Sequence, residues 1–185
     1  MTRGWILAGG RSSRYGSDKA LAMLDGETFA SRVAASMRAA GADDVTLVGA
    51  TAEVAEALGL PVISDDDPGQ GPLGGIRTAL RAAGEARAWI APCDVPMLTA
   101  GTWRALDAAL DDVRQRACVS VAADERSTAW LVLAARAPEA RARVEAAWSA
   151  GVRAPHRALS DALRVARPAT ELRNVNRPDE VPGRP

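Results

Sequence analysis

The chain has 185 residues and sets 23 basic against 23 acidic side chains, so it carries no formal net charge. That balance excludes a general nucleic-acid binder, which needs a basic face, and Cys93 and Cys118 are too few for a disulfide framework. No apolar run has the length of a secretory or membrane segment, so the expectation is a cytoplasmic chain: one domain over residues 1–177 and a loose, proline-rich tail at 178–185.

The elements follow in chain order. An apolar run at 5–8 predicts the first strand. Phe29, Val33 and Met37 recur at a spacing of four, which predicts a helix over 28–40 with one buried face, stopped by Gly41. Strands are expected at 45–48 and 62–63, on either side of an alanine-rich helix at 52–58. A helix at 73–83 leads to a buried strand at 89–91, then a helix at 102–110. Strands at 118–122 and 130–134 precede a helix at 138–150 in which Val144 and Trp148 share a face. Strand alternating with helix predicts an α/β chain with a Rossmann-like, mostly parallel, twisted sheet and helices on both faces. Ligands of such sheets bind beyond the carboxyl ends of the strands. The segments that follow the strands at 5–8, 62–63 and 89–91 can therefore converge on one edge.

The first of these segments runs Leu7-Ala8-Gly9-Gly10-Arg11-Ser12-Ser13-Arg14-Tyr15-Gly16-Ser17-Asp18-Lys19. Lys19 is the single lysine of a chain that otherwise uses arginine, and a compact ammonium does not replace a planar guanidinium around a phosphate. A strand feeding bare glycine N–H groups, two arginines and a lysine suits a polyphosphate. The loop is not a Walker loop, because Ser17 and Asp18 separate Gly16 from Lys19, and it lacks the dinucleotide G-x-G-x-x-G.

Asp94 follows the strand at 89–91, where a carboxylate suits either Mg²⁺ ligation or capping of the next turn. Asp65 opens an acidic triplet whose other members, Asp66 and Asp67, read as a solvated loop. Gly71, Gly74 and Gly75 surround Pro72 at a helix start, where they can admit a nucleotide or acceptor or let a turn pack on the sheet. His156 reads as a surface residue, and Cys93 as a small buried one. The five tryptophans read as core or interface residues.

Four blocks in order carry a family resemblance: the loop above with its continuation Asp18-Lys19-Ala20-Leu21, then Asp65-Asp66-Asp67-Pro68-Gly69-Gln70-Gly71-Pro72-Leu73-Gly74-Gly75, Cys93-Asp94-Val95-Pro96-Met97-Leu98, and Asn174-Val175-Asn176-Arg177-Pro178-Asp179. The chain resembles the MobA-like nucleotidyltransferases, the family that includes molybdenum cofactor guanylyltransferase, whose fold is like that of nucleotide-diphospho-sugar transferases. Tyr15 stands where that family usually has methionine. Val48-Gly49 stands where it often has an asparagine near the base, and Arg126–Trp130 lacks the His-Pro or Gln-Pro that commonly precedes its acceptor-side strand.

The resemblance implies a transfer of GMP from GTP to the phosphate of molybdopterin, with Mg²⁺ as cofactor. It implies nucleotide contacts from Leu7, Ala8, Gly9, Gly10, Lys19, Asp65 and Asp94, and catalytic roles for Arg14, Lys19 and Asp94. Asp94 and Asn176 would hold the metal, while Gly71, Gly75 and Asn174 would serve the acceptor side or support the loop. Related cytidylyltransferases read L-A-A-G where this chain reads Leu7-Ala8-Gly9-Gly10, so the missing methyl at Gly9 is expected to leave room for a purine. The alternatives are a cytidylyl- or sugar-phosphate nucleotidyltransferase of the same fold, or a non-catalytic nucleotide-binding partner of a molybdoenzyme or its chaperone.

Overall fold

The computed structural model describes residues 1–9, 18–112, 117–176 and 180. Its first strand, β1 (Thr2–Leu7), sends Trp5 to one face of the sheet and Ile6 to the other, as the period of a strand dictates. Both are buried, so the strand is covered on two sides. A 3₁₀ turn (Lys19–Leu21) leads into a small hairpin of β2 (Met23–Leu24) and β3 (Glu27–Thr28). Asp25 and Gly26 turn that hairpin with φ of 50° and 84°, the left-handed pair that a tight two-residue turn requires.

Helix α1 (Phe29–Ala40) starts at Thr28, whose Oγ1 accepts the Ser31 amide at 3.2 Å. Next come β4 (Asp44–Val48), α2 (Ala52–Leu58), β5 (Val62–Ile63) and α3 (Pro72–Ala83). They are followed by β6 (Arg87–Pro92), α4 (Ala100–Asp111), β7 (Val119–Ala123) and β8 (Thr128–Arg136). The chain then forms α5 (Ala137–Ser149), α6 (Pro155–Ala158) and β9 (Leu163–Ala166).

The described strands form a sheet of order β5-β4-β1-β6-β8-β7-β9. Pairs β1–β4, β1–β6, β4–β5 and β7–β9 are parallel. Strand β8 is antiparallel to both its neighbours, because a short hairpin joins it to β7 and leaves no room for a crossover. Helices α1, α2 and α4 cover one face through Val33, Met37, Val54, Trp103 and Leu106. On the other face α3, α5 and α6 pack through Leu73, Ile76, Leu80, Val144 and Ala158.

Polar atoms lock the first of these layers. Trp89 of β6 stacks on Trp103 of α4 with ring centroids 5.7 Å apart. The Trp89 indole donates to Asp107 at 3.2 Å, and the Trp103 indole donates to Ser36 of α1 at 2.9 Å. These two indoles thus have the partners their burial demands.

On the second face Asp66 stays exposed, as the solvated loop expected of it implies, while Asp67 is drawn into contact with α3. Arg77 pairs with Asp67, and Arg81 pairs with Asp66 at 3.1 Å. Both arginines also reach Glu145 of α5, at 2.9 and 2.6 Å. Burial pushes the Glu145 carboxyl up, but the hydrogen bonds from Arg77 and Arg81 outweigh it and hold the group below the usual carboxylate range. The triplet is therefore bolted to α3 and α5, which fixes the loop that carries Asp65.

Of the tail expected at 178–185, all but Glu180 lies outside the described residues. Among the described residues no helix is long and apolar enough to cross a membrane.

Candidate active site

Three parallel strands end side by side. Leu7 of β1 lies opposite Val48 of β4 on one flank and Pro92 of β6 on the other, so their following residues emerge at one level. Strand β1 is also the point from which the chain order runs in two directions along the sheet, which is where open α/β sheets bind ligands. The Ala8 amide donates to the Val48 carbonyl at 3.0 Å and the Cys93 amide to the Leu7 carbonyl at 3.2 Å, extending the ladder into the loops. Above these ends lies a cavity of about 520 Å³. Leu7, Ala8, Gly9, Lys19, Asp65, Gly71, Gly75 and Asp94 all line it, although they lie far apart in the chain. Gly10 and Arg14 lie outside the described residues.

The charged centre is Lys19. Asp18 caps the 3₁₀ turn by accepting the Ala20 amide at 2.9 Å, and buried Ala20 anchors that turn in the core. The Lys19 ammonium donates to Asp94 Oδ2 at 3.2 Å and to Asn176 Oδ1 at 2.7 Å. Lys19 and Asp94 side chains are each only 19% exposed, so the pair is shielded from solvent but opens onto the cavity. Asn176 reaches it because of Val175, whose side chain is fully buried among Ala22, Leu24 and Phe29. The Val175 amide also donates to the Asp94 carbonyl at 2.9 Å, and the Asn176 amide donates to Glu180 at 2.6 Å. Asn174, on the other side of Val175, is exposed.

The segment before this anchor is held by Glu171. It accepts from Arg167 at 2.8 and 3.0 Å, from Thr102 at the start of α4, and from Thr99 at 3.3 Å. Burial raises the Glu171 carboxyl, yet the Thr102 and Arg167 hydrogen bonds prevail and lower it.

Asp65 is oriented by its own loop. Its Oδ1 accepts the Asp67 amide at 3.0 Å and the Thr78 hydroxyl at 3.1 Å, and Thr78 is buried on α3. Gly71 stands just before α3 with φ of 86°, a left-handed position that favours glycine. Gly75 permits close packing instead: a Cβ there would lie 3.1 Å from a Leu7 methyl.

Gly9 corrects an expectation. A Cβ at Gly9 would meet the Cα and carbonyl oxygen of Gly49, both at 3.3 Å, so the missing methyl points at the neighbouring loop and makes no room for a base. Gly49 mirrors it, with φ of 76° and a Cβ that would lie 3.0 Å from Gly9 Cα. The two glycines let the β1 and β4 loops touch. Gly9→Ala is accordingly expected to shift the Gly49 loop and weaken GTP and CTP by similar factors, about three- to tenfold each for roughly 1 kcal/mol of strain. Calorimetric titration with both nucleotides checks it; a loss confined to GTP would restore the base-size reading.

Cys93 is buried, and burial first, then the nearby Asp94 charge, pushes its thiol up to about 12, so it is no nucleophile. His156 is exposed on α6, 6.4 Å from Trp130 between ring centroids, and does not line the cavity. Thr78 and Val175, which carry no expected role, also shape the site, as does Gly49, expected only to stand where the family often has an asparagine. Gly49 follows a strand just as Gly9 does, which was a usable signal; Thr78 and Val175 gave none.

Among the described residues no group of three or more His, Cys, Asp or Glu could hold a metal ion. A single carboxylate with an amide oxygen nonetheless suits Mg²⁺, which keeps waters and takes substrate phosphates. The Lys19 ammonium, seated between Asp94 and Asn176, stands in for such a cation and shows that the two oxygens converge on one positive charge. The arrangement can therefore hold cations against a polyphosphate.

The sequence profile of the MobA-like NTP transferase domain matches residues 4–167. The chain belongs to this family. It is 34% identical over 184 residues to the molybdenum cofactor guanylyltransferase of Pseudomonas syringae, covering 94% of this chain and 88% of that one. Against the molybdenum cofactor guanylyltransferase of Xanthomonas euvesicatoria it is 40% identical over 98 residues, 52% of this chain and 49% of the relative. In several such matches the chain spans only about half of the relative's length, 47%, 54% and 46% in three of them. A nucleotidyl transferase from Methanothermobacter shares the fold, with a TM-score of 0.75 at 23% identity over 97% of this chain and 94% of that one.

Proposed function

We propose that this chain is a molybdenum cofactor guanylyltransferase, moving GMP from GTP onto the phosphate of molybdopterin and releasing pyrophosphate. The observation that carries this reading is the contact of Lys19 with Asp94 and Asn176, the first two lining the strand-end cavity, in a chain of the MobA-like family. An oxygen of the acceptor phosphate attacks the α-phosphorus of GTP. The new O–P bond forms as the bond from the α-phosphorus to the bridging oxygen of pyrophosphate breaks, in line. The acceptor phosphate is already ionised at neutral pH, so the step needs no general base, and the inert Cys93 and remote His156 present no difficulty.

The residues contribute positioning and charge. Leu7, Ala8 and Gly9 seat the nucleotide against the strand ends, with Gly10 continuing the loop, and Asp65 holds the nucleoside in the orientation set by Thr78. Lys19 and Arg14 bind the triphosphate and meet the charge that grows on pyrophosphate. Gly71 and Gly75 shape the acceptor side, and Asn174 supports the loop that ends in Asn176. Asp94 and Asn176 would hold Mg²⁺, which supplies charge neutralisation at the phosphate oxygens when bound. The intact Lys19–Asp94 pair argues for catalysis over binding alone, and the reading carries a cytoplasmic location with it.

Pyrophosphate release with each of the four NTPs, with and without molybdopterin, tests the proposal. Release is expected only with GTP plus molybdopterin. Preference for CTP, or release driven by a sugar phosphate, would assign the chain to another transferase of this fold.

A further inference from the structure

The Lys19 ammonium occupies the position between the two oxygens that the proposed function gives to a metal. Its contacts are Asp94 Oδ2 at 3.2 Å and Asn176 Oδ1 at 2.7 Å. Ligand oxygens lie about 2.1 Å from a bound Mg²⁺. The same two oxygens cannot hold a divalent ion at that distance while an ammonium sits within hydrogen-bonding range of both. Two like charges, one of them double, would share one partly buried carboxylate. The lysine and the metal therefore compete for the position between these two oxygens.

We infer that Lys19 is a placeholder cation: in the nucleotide-free protein it closes the metal position, and it leaves only when a triphosphate offers it a new counter-ion. The inference rests on the metal assignment of Asp94 and Asn176. Lys19 sits on the short turn Lys19–Leu21, and it lines the cavity, so the ammonium can move from the Asp94 side toward a bound polyphosphate. Without a polyphosphate the move would break both contacts of the ammonium with nothing anionic to replace them, while Asp94 traded one cation for another. Metal alone therefore competes with a tethered charge and binds weakly. With nucleotide present both cations find anionic partners, so metal and triphosphate raise each other's affinity by the same factor, as linkage requires.

The test reads metal binding directly, without turnover. Free Mn²⁺ is counted by electron paramagnetic resonance while the wild-type protein, Lys19→Met and Asp94→Asn are titrated, first alone and then with GTP but no acceptor. Lys19→Met is expected to bind Mn²⁺ alone about ten- to a hundredfold more tightly than wild type, the size expected for removing one charge-assisted contact that competes for the site. The enhancement of Mn²⁺ affinity by GTP is expected to shrink by a similar factor. Equal or weaker Mn²⁺ binding by Lys19→Met, with Asp94→Asn still abolishing it, overturns the placeholder role and leaves the metal assignment standing. Mn²⁺ binding that Asp94→Asn does not change overturns both. Should Lys19→Met fail to fold, judged by its melting, Lys19→Gln removes the charge while keeping a donor toward Asn176 and gives the same readout.

Discussion

Asp94→Asn is expected to lower the rate of nucleotidyl transfer by about a thousandfold or more, roughly 4 kcal/mol of transition-state stabilisation. The substitution keeps the shape of the side chain and removes its charge. Among the described residues the Asp94 carboxylate pairs with Lys19, and Asp94 binds the C-terminal segment through its backbone carbonyl, which accepts the Val175 amide at 2.9 Å. The side chain lies at the end of β6 facing the cavity, outside the two apolar layers. The melting temperature is therefore expected to stay within a few degrees of wild type, as for a substitution outside the core. Pyrophosphate release with saturating GTP, molybdopterin and Mg²⁺ measures the loss. An asparagine variant that turns over at the wild-type rate would remove Asp94 from the chemistry, whatever its place beside Lys19.

The elements that the sequence reading reached are those with a period to read. In α1 the spacing of Phe29, Val33 and Met37 marked a face that is wholly buried, and the helix ends at Gly41 as expected. The hairpin of β2 and β3 is not legible in the sequence, because its strands of two residues each are too short to show alternation. Nor are α6 and β9, and β9 alternates only between partial burial and exposure at the sheet edge. The antiparallel direction of β8 follows from the short β7–β8 connection and its insertion between β6 and β7, which only the assembled sheet displays.

The site was legible to the extent that its residues follow strands. Leu7 through Gly9, Asp65 and Asp94 are expected at one edge, and the parallel registers of β1, β4, β5 and β6 bring them there. What could not be read was direction. Gly9 looked like an opening for a base because its neighbour Gly49 was invisible as a contact, and Asp67 looked solvated because Arg77, its partner, sits a few turns away on α3. Val175 looked like filler between two asparagines; its burial against Phe29 is what carries Asn176 to Lys19.

Lys19→Arg is expected to cost one to two decades in kcat/KM although it keeps the charge. The ammonium is a compact group held between two oxygens at 3.2 and 2.7 Å, on a side chain that is only 19% exposed. A guanidinium is longer, planar and fixed in its donor directions, so it cannot place one point charge between Asp94 and Asn176 and then turn the same point toward a polyphosphate. Loss of a charge-assisted contact of this kind costs about 1.5–3 kcal/mol. If Lys19 meets the charge that develops on the departing pyrophosphate, kcat falls along with kcat/KM, whereas a contact made equally with bound GTP would raise KM alone. Steady-state kinetics over a range of GTP concentrations separates the two, and a melting curve shows that the variant has folded. Wild-type kcat/KM in Lys19→Arg would mean that any cation serves at this position and that the chain's single lysine carries no specific contact.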